Sequence, residues 1–161
     1  MLPPEPLPEV LDPARDLVSS VLLDATPEEV FEAWADPALL ATWWGPEGFS
    51  STFHEFDFRP GGRWRFDMHG PNGASHPNES VFVEVVRPSR IVLDHVGAPR
   101  FVLTATLTPR GGMTEMVWRA RFETAGLLEA LRPFATRGNS ETFDRLGRLL
   151  FQRAEARSAR P

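Results

Sequence analysis

Between Asp36 and Met68 the sequence leaves its backbone few ways to run. The stretch starts at Asp36-Pro37 and passes through Trp43-Trp44-Gly45-Pro46. It ends in Asp57-Phe58-Arg59-Pro60-Gly61-Gly62-Arg63-Trp64-Arg65. Pro60 fixes φ and has no N–H to donate, while Gly61 and Gly62 admit positive φ, so the backbone must reverse there. Strand-forming residues flank the reversal, Thr52 to Asp57 before it and Arg63 to Met68 after it. The whole reads as a helix end, an aromatic plug in a loop, and a β-hairpin.

The pattern extends in both directions. Leu17 to Ala25 reads as a first strand. Thr26-Pro27-Glu28-Glu29 reads as a helix start, with Thr26 as N-cap, Pro27 at the first helical position and Glu29 closing a capping box. Val30, Phe31, Trp34 and Ala35 continue at helical spacing to Asp36-Pro37, and a second short helix follows from Ala38 to Trp43 or Trp44. Downstream, His69 to Asn78 is expected to be a loop. Strands are expected over Glu79–Val86, Ile91–Val96, Phe101–Thr108 and Thr114–Phe122, with turns at Pro88-Ser89 and Pro109 to Gly112. Regular spacing and short turns predict an antiparallel meander. Leu127, Leu128 and Leu131 form one short amphipathic stretch. Phe143, Leu146, Leu149 and Leu150 mark the buried face of a long C-terminal helix, with Pro133 expected in its first turn. Gly138 then falls inside that helix, weakening it by about 1 kcal/mol relative to alanine. A single domain over residues 15–156 is expected, between a proline-rich tail at 1–14 and a short tail at 157–161.

Composition removes several chemistries. All 17 basic residues are arginine, and cysteine and tyrosine are absent. Schiff bases, thiolate nucleophiles, disulfides and tyrosine acids are therefore excluded, and so is a lysine-dependent phosphate loop. Residues 1–57 carry 12 acids and one arginine, and the remainder 16 arginines and 10 acids. The net charge of −5 opposes phosphate binding, so no nucleic acid partner is expected. No apolar run approaches the ~20 residues that span a bilayer, and the amino terminus lacks a signal peptide's basic and apolar regions. No membrane insertion and a cytoplasmic location are the expectation.

Strand parity places Trp64, Phe66 and Met68 on one face, and Met116, Trp118, Ala120 and Phe122 on another. These apolar faces need cover. Either aromatics fill the space beneath a helix completely, or they leave a pocket. His95 shares the face of Ile91 and Leu93, so it is either a hydrogen-bonded interior histidine or an acid–base group. His54, His69 and His76 show no metal-ligand spacing, and no metal and no cofactor are expected. Asp57 and Arg59 could hold an anion, but two such residues around a turn more simply pair with each other. Of Trp43 and Trp44, one ring is expected in the core and the other over a cavity mouth. No Gly-x-Ser-x-Gly elbow is present.

The combination of Asp36-Pro37, Trp43-Trp44-Gly45-Pro46 and Asp57-x-Arg59-Pro60-Gly61-Gly62-x-Trp64 resembles the activators of the heat-shock-protein-90 ATPase, C-terminal domain type. They lie within the START-like, birch-pollen-allergen-like (SRPBCC) superfamily, and the resemblance runs over roughly residues 17 to 152. It implies an α+β helix-grip fold: a curved antiparallel sheet of six or seven strands around a long C-terminal helix, with two short helices after the first strand. It also implies a cavity, for which Trp43, Trp64, Phe66, Met68, His95, Trp118, Phe134 and Phe143 are the candidate lining residues. The leading functional expectation is non-enzymatic binding of a small, largely hydrophobic ligand by a monomer or homodimer. Two others stay open: a co-chaperone-like regulator of a heat-shock-protein-90-type ATPase, and a START-like cyclase or hydrolase with His95 as its candidate catalytic residue.

Overall fold

The computed structural model describes residues 10–159. The proline-rich segment expected over 1–14 therefore lies mostly outside the described residues, as do the last two positions of the C-terminal tail. The order is β1 (Asp16–Leu23), α1 (Pro27–Ala35), α2 (Pro37–Trp43), β2 (Ser50–Phe56), β3 (Arg63–His69), β4 (Ser75–Val86), β5 (Arg90–His95), β6 (Phe101–Arg110), β7 (Met113–Phe122) and α3 (Ala125–Ser158). All seven strands form one antiparallel sheet in the order β1-β7-β6-β5-β4-β3-β2. This is the α+β helix-grip arrangement, a curved sheet holding a long helix. Register shifts between Phe53 and Glu55 in β2 and between Phe82 and Glu84 in β4 bend the sheet, because an extra residue on one strand increases local twist. Among the described residues, no helix is long and apolar enough to cross a membrane.

Local chemistry explains the elements. Thr26 Oγ1 accepts from the Glu29 N–H at 3.2 Å, and Glu29 Oε1 accepts from the Thr26 N–H at 3.2 Å, which closes the capping box on α1. Asp36 then serves two helices. Its own N–H donates to Glu32 O at 3.0 Å and ends α1, while its carboxylate accepts from the Ala38 N–H at 2.9 Å and starts α2. At the hairpin, Gly61 has φ +82°, and a Cβ built on Gly62 would lie 2.0 Å from the Asp57 carbonyl oxygen. The same turn is tied to β4: Gly61 N–H donates to Phe82 O at 2.7 Å, and Phe82 N–H to Gly62 O at 2.9 Å. Arg59 Nε donates to Asp57 Oδ2 at 2.8 Å on the exposed side, so the two residues pair locally.

Two boundaries differ from expectation. The loop after β3 is short, because Ser75 to Asn78 continue as β4 and pair with Phe66 to His69. Neighbouring strand edges satisfy their backbone better than solvent does, even for a segment with His76, Pro77 and Asn78. More consequential, α3 begins at Ala125, capped by Thr124 Oγ1 accepting from the Leu127 N–H at 3.1 Å. Leu127, Leu128 and Leu131 thus belong to the long helix, and Pro133 lies inside it instead of in its first turn. Pro133 is exposed, so water can reach the carbonyl that its missing N–H leaves free.

The 34 residues of α3 divide by burial. Leu128 is buried, and from Thr142 onward Thr142, Phe143, Leu146 and Leu150 are buried against the sheet. Between Leu128 and Thr142 no side chain is fully buried. This middle segment stands off the sheet.

Candidate functional site

The space under the standing-off segment is a cavity of about 330 Å³. Its floor comes from the inward positions of three paired strands. Leu17 of β1 and Leu103 of β6 both sit opposite Ala120 of β7, and Phe101 sits opposite Phe122. Ala120 is small between two leucines, which leaves depth at the centre of the floor. Leu131, Ala135, Gly138 and Asn139 of α3 form the roof. One side wall is the loop Trp44-Gly45-Pro46. Gly45 has φ +102°, a backbone angle that favours glycine. Gly138 faces that loop, and a Cβ there would make ordinary contact, 3.4 Å, with Pro46 Cγ.

Arg145 holds the loop. Its Nη1 donates to Gly45 O at 2.8 Å and Pro46 O at 3.0 Å, with a longer contact to Trp44 O at 3.3 Å. Its Nη2 donates to Thr42 O at 2.9 Å, one of the carbonyls left open at the end of α2. Burial pushes this guanidinium below its ordinary value, partly offset by the charge of Glu47. Glu47 also pairs with Arg148 one turn further along α3.

Beside the cavity, aromatic rings pack the interior. Trp34, Trp43, Trp64 and Phe82 are fully buried. Trp34 meets Trp43 edge-on at 5.2 Å, and Trp64 stacks on Phe66 at 4.6 Å. The boundary between filled and open interior is Trp118. It packs on Phe143 at 4.8 Å on the helix side, touches Trp44 at 5.4 Å, and lines the cavity. Its indole Nε1–H, like those of Trp34 and Trp64, is buried without a hydrogen-bond partner among the described residues. Each such donor costs about 1–3 kcal/mol, which the packing of this aromatic cluster must outweigh.

Of the eight candidate lining residues, Trp118 and Phe134 border the cavity, and Phe134 is 78% exposed, so its ring forms the rim. Trp43, Trp64, Phe66, Met68 and Phe143 lie outside the lining. Trp43 is fixed in the core by its Nε1–H donating to Ala33 O at 3.0 Å, and Trp44 stands beside the cavity. His95 is 9% exposed and sits behind the wall, its ring stacked on Phe101 at 4.7 Å and 8°. Its Nδ1 lies 2.7 Å from Pro99 O and its Nε2 3.0 Å from Asn78 Oδ1. Burial pushes its pKa down, against the opposing pull of Pro99 O and the Asp94 charge. The roof residues Gly138 and Asn139 escaped sequence reasoning. Polar and small side chains on a helix give no apolar signal, although the parity of β7 had already grouped Ala120 and Phe122 with Trp118.

Of the remaining histidines, His54 and His69 engage in surface bonds, and His76 accepts a bond from Asn78 Nδ2 at its backbone oxygen. His54 Nε2 lies 3.0 Å from Asp67 Oδ2, and His69 bridges Thr52 and Ser75 hydroxyls at 2.8 and 2.7 Å. Among the described residues, no group of three or more His, Cys, Asp or Glu is arranged to hold a metal ion.

A model of the family described as Activator of Hsp90 ATPase homolog 1-like protein matches residues 24–150. No protein of curated function matches the chain. Among solved structures, a protein from Nitrosomonas europaea superposes with a TM-score of 0.82 at 24% identity, over 89% of this chain and 99% of that one. One from Arthrobacter aurescens gives 0.80 at 23% identity, over 87% and 88%. A Silicibacter pomeroyi protein described by the same family name gives 0.70 at 24% identity, over 86% and 99%. At these identities the likeness is one of fold.

Proposed function

The chain belongs to the family of Activator of Hsp90 ATPase homolog 1-like proteins, and from that premise we propose that it binds a small, largely apolar molecule without transforming it. The observation that carries this reading is the unequal filling of one interior. Aromatic rings pack one side of it, while about 330 Å³ beside them stays open under α3. Enclosed apolar surface supplies binding free energy, and a few polar groups set orientation. A catalytic role for His95 gains no support from its position, since the Phe101 ring separates it from the cavity and both its ring nitrogens have partners.

The test uses the neutral fluorescent probe N-phenyl-1-naphthylamine. Saturable one-site binding to the native protein is expected, and Ala120→Phe should abolish it by filling the floor while the thermal transition stays cooperative. Probe uptake that Ala120→Phe leaves unchanged would place binding elsewhere. Native mass spectrometry of protein from its own host supplies a second arm. A co-purifying small molecule favours this reading, and a co-purifying Hsp90-type ATPase favours a co-chaperone-like regulator.

A further inference from the structure

The cavity lining contains no ionisable side chain. Arg145, which anchors one wall, turns both its terminal nitrogens away to the backbone carbonyls of residues 42 and 44–46. A carboxylate seated against this lining would lose part of its hydration and find no cationic side chain there in exchange. Burying an unpaired charge is among the most unfavourable transfers a protein can make.

The roof offers two acceptor oxygens. Asn139 Nδ2 donates to Ser19 Oγ at 3.1 Å, which fixes the amide and leaves Oδ1 with acceptor capacity and one N–H still to donate. Thr142 Oγ1 spends its proton on Gly138 O at 2.8 Å, so its oxygen can only accept. Residues three apart lie on one face of a helix, and both of these border the cavity. The two acceptor oxygens complement a hydroxyl or N–H donor, and no lining side chain carries the positive charge that a carboxylate would need.

We propose that the cavity selects uncharged ring molecules carrying a hydroxyl or N–H group and rejects carboxylates of the same size, with Asn139, oriented by Ser19, as the specificity-determining residue. This rests on the ligand-binding reading above and narrows it to one chemical class. Ser19 lies outside the lining, so it acts through Asn139 and not on the ligand.

The experiment compares naphthalene, 2-naphthol and 2-naphthoate at neutral pH by tryptophan fluorescence and calorimetry. 2-Naphthol should bind at least about tenfold tighter than 2-naphthoate, and about fivefold tighter than naphthalene, as expected for a charge and a hydrogen bond in an apolar site. Asn139→Leu should bring 2-naphthol down to naphthalene while leaving naphthalene itself unchanged. Ser19→Ala, which leaves the lining intact, should lower the 2-naphthol preference by about two- to threefold, as for one lost orienting hydrogen bond. Equal or tighter binding of 2-naphthoate overturns the proposal, and so does a 2-naphthol preference that survives in Asn139→Leu. In both cases ligands still bind, so the broader reading stands. Failure of all three compounds and of N-phenyl-1-naphthylamine removes both together.

Discussion

Arg145 on α3 donates to the carbonyl oxygen of Gly45, 100 residues earlier, at 2.8 Å. The helix thereby holds the loop that walls the cavity, through a guanidinium that has no carboxylate bonded to it among the described contacts. Arg145→Ala leaves Thr42, Gly45 and Pro46 carbonyls without this donor. We expect a loss of about 2 kcal/mol in urea titration, the scale of hydrogen bonds to a charged group. Arg145→Lys should recover less than half of it, because an ammonium cannot fork across several carbonyls. Full stability in Arg145→Ala would show that water replaces the guanidinium at no cost.

Asp16 and Arg121 form the buried ion pair of the β1–β7 edge, at 2.7 and 2.8 Å, and Arg121 Nη2 also donates to Val10 O at 2.9 Å. Burial pushes the Asp16 carboxyl up, but the Arg121 hydrogen bonds, the Asp12 N–H and nearby arginine charges outweigh it and hold it below the ordinary 3.8. With the folded value depressed, the pair's stabilisation is present above the ordinary carboxylate value and is lost as pH falls through the folded one. Asp16→Asn should flatten that acid limb and cost about 3–5 kcal/mol at neutral pH by leaving Arg121 buried without its counter-charge. An unchanged acid limb in the variant would assign acid sensitivity to other carboxylates.

His95 shifts in the same direction, in a higher pH window. Burial lowers its folded pKa below the ordinary 6.5, so between those two values the unfolded chain binds more protons. Stability should be full above 6.5 and decline as pH falls from there to the folded value, then level off. His95→Gln should remove that decline from denaturant titrations run between about pH 5 and 8. An NMR titration in which His95 ionises above 6.5 would reverse the sign.

The two halves of α3 should answer mutation differently. Leu146 is fully buried, and Leu146→Ala is expected to cost about 2–5 kcal/mol. Phe134, on the rim, should cost less than about 0.5 kcal/mol when replaced by alanine, as surface positions do. Equal effects would mean that the middle of the helix packs as tightly as its end.

The hairpin glycines make a similar pair. Gly62→Ala forces a Cβ against the Asp57 carbonyl at 2.0 Å and should destabilise by about 3 kcal/mol or more. Gly61→Ala has open space and carries only the penalty of its positive φ, about 1–2 kcal/mol. Thermal melts of the two variants give the comparison directly.

Most of the architecture was legible because it rests on local chemistry. The Thr26–Glu29 box, the double duty of Asp36 and the Pro60-Gly61-Gly62 reversal are each written within a few residues. Pro133 misled because a local rule about helix interiors met a tertiary circumstance, an exposed turn where the missing hydrogen bond costs little. The site was legible only in part. Aromaticity draws attention to Trp43, Trp64 and Phe66, yet large rings fill space, and an opening forms where side chains are small, as at Ala120, Ala135 and Gly138. Asn139 announces nothing in one dimension, since its meaning depends on Ser19, 120 residues away.

The placement of β1 beside β7 has a kinetic side. Asp16 and Arg121 are 105 residues apart, so closing that edge requires most of the intervening chain to be ordered first, and non-local pairing of this kind is slow. β1 also delivers Leu17 to the floor and Ser19 to Asn139. The cavity is therefore completed in the same step that docks the first strand onto the last, and a chain still emerging from the ribosome has no pocket to offer. In stopped-flow refolding, uptake of N-phenyl-1-naphthylamine should follow the slowest phase, and Leu17→Ala should speed unfolding while leaving the folding rate nearly unchanged.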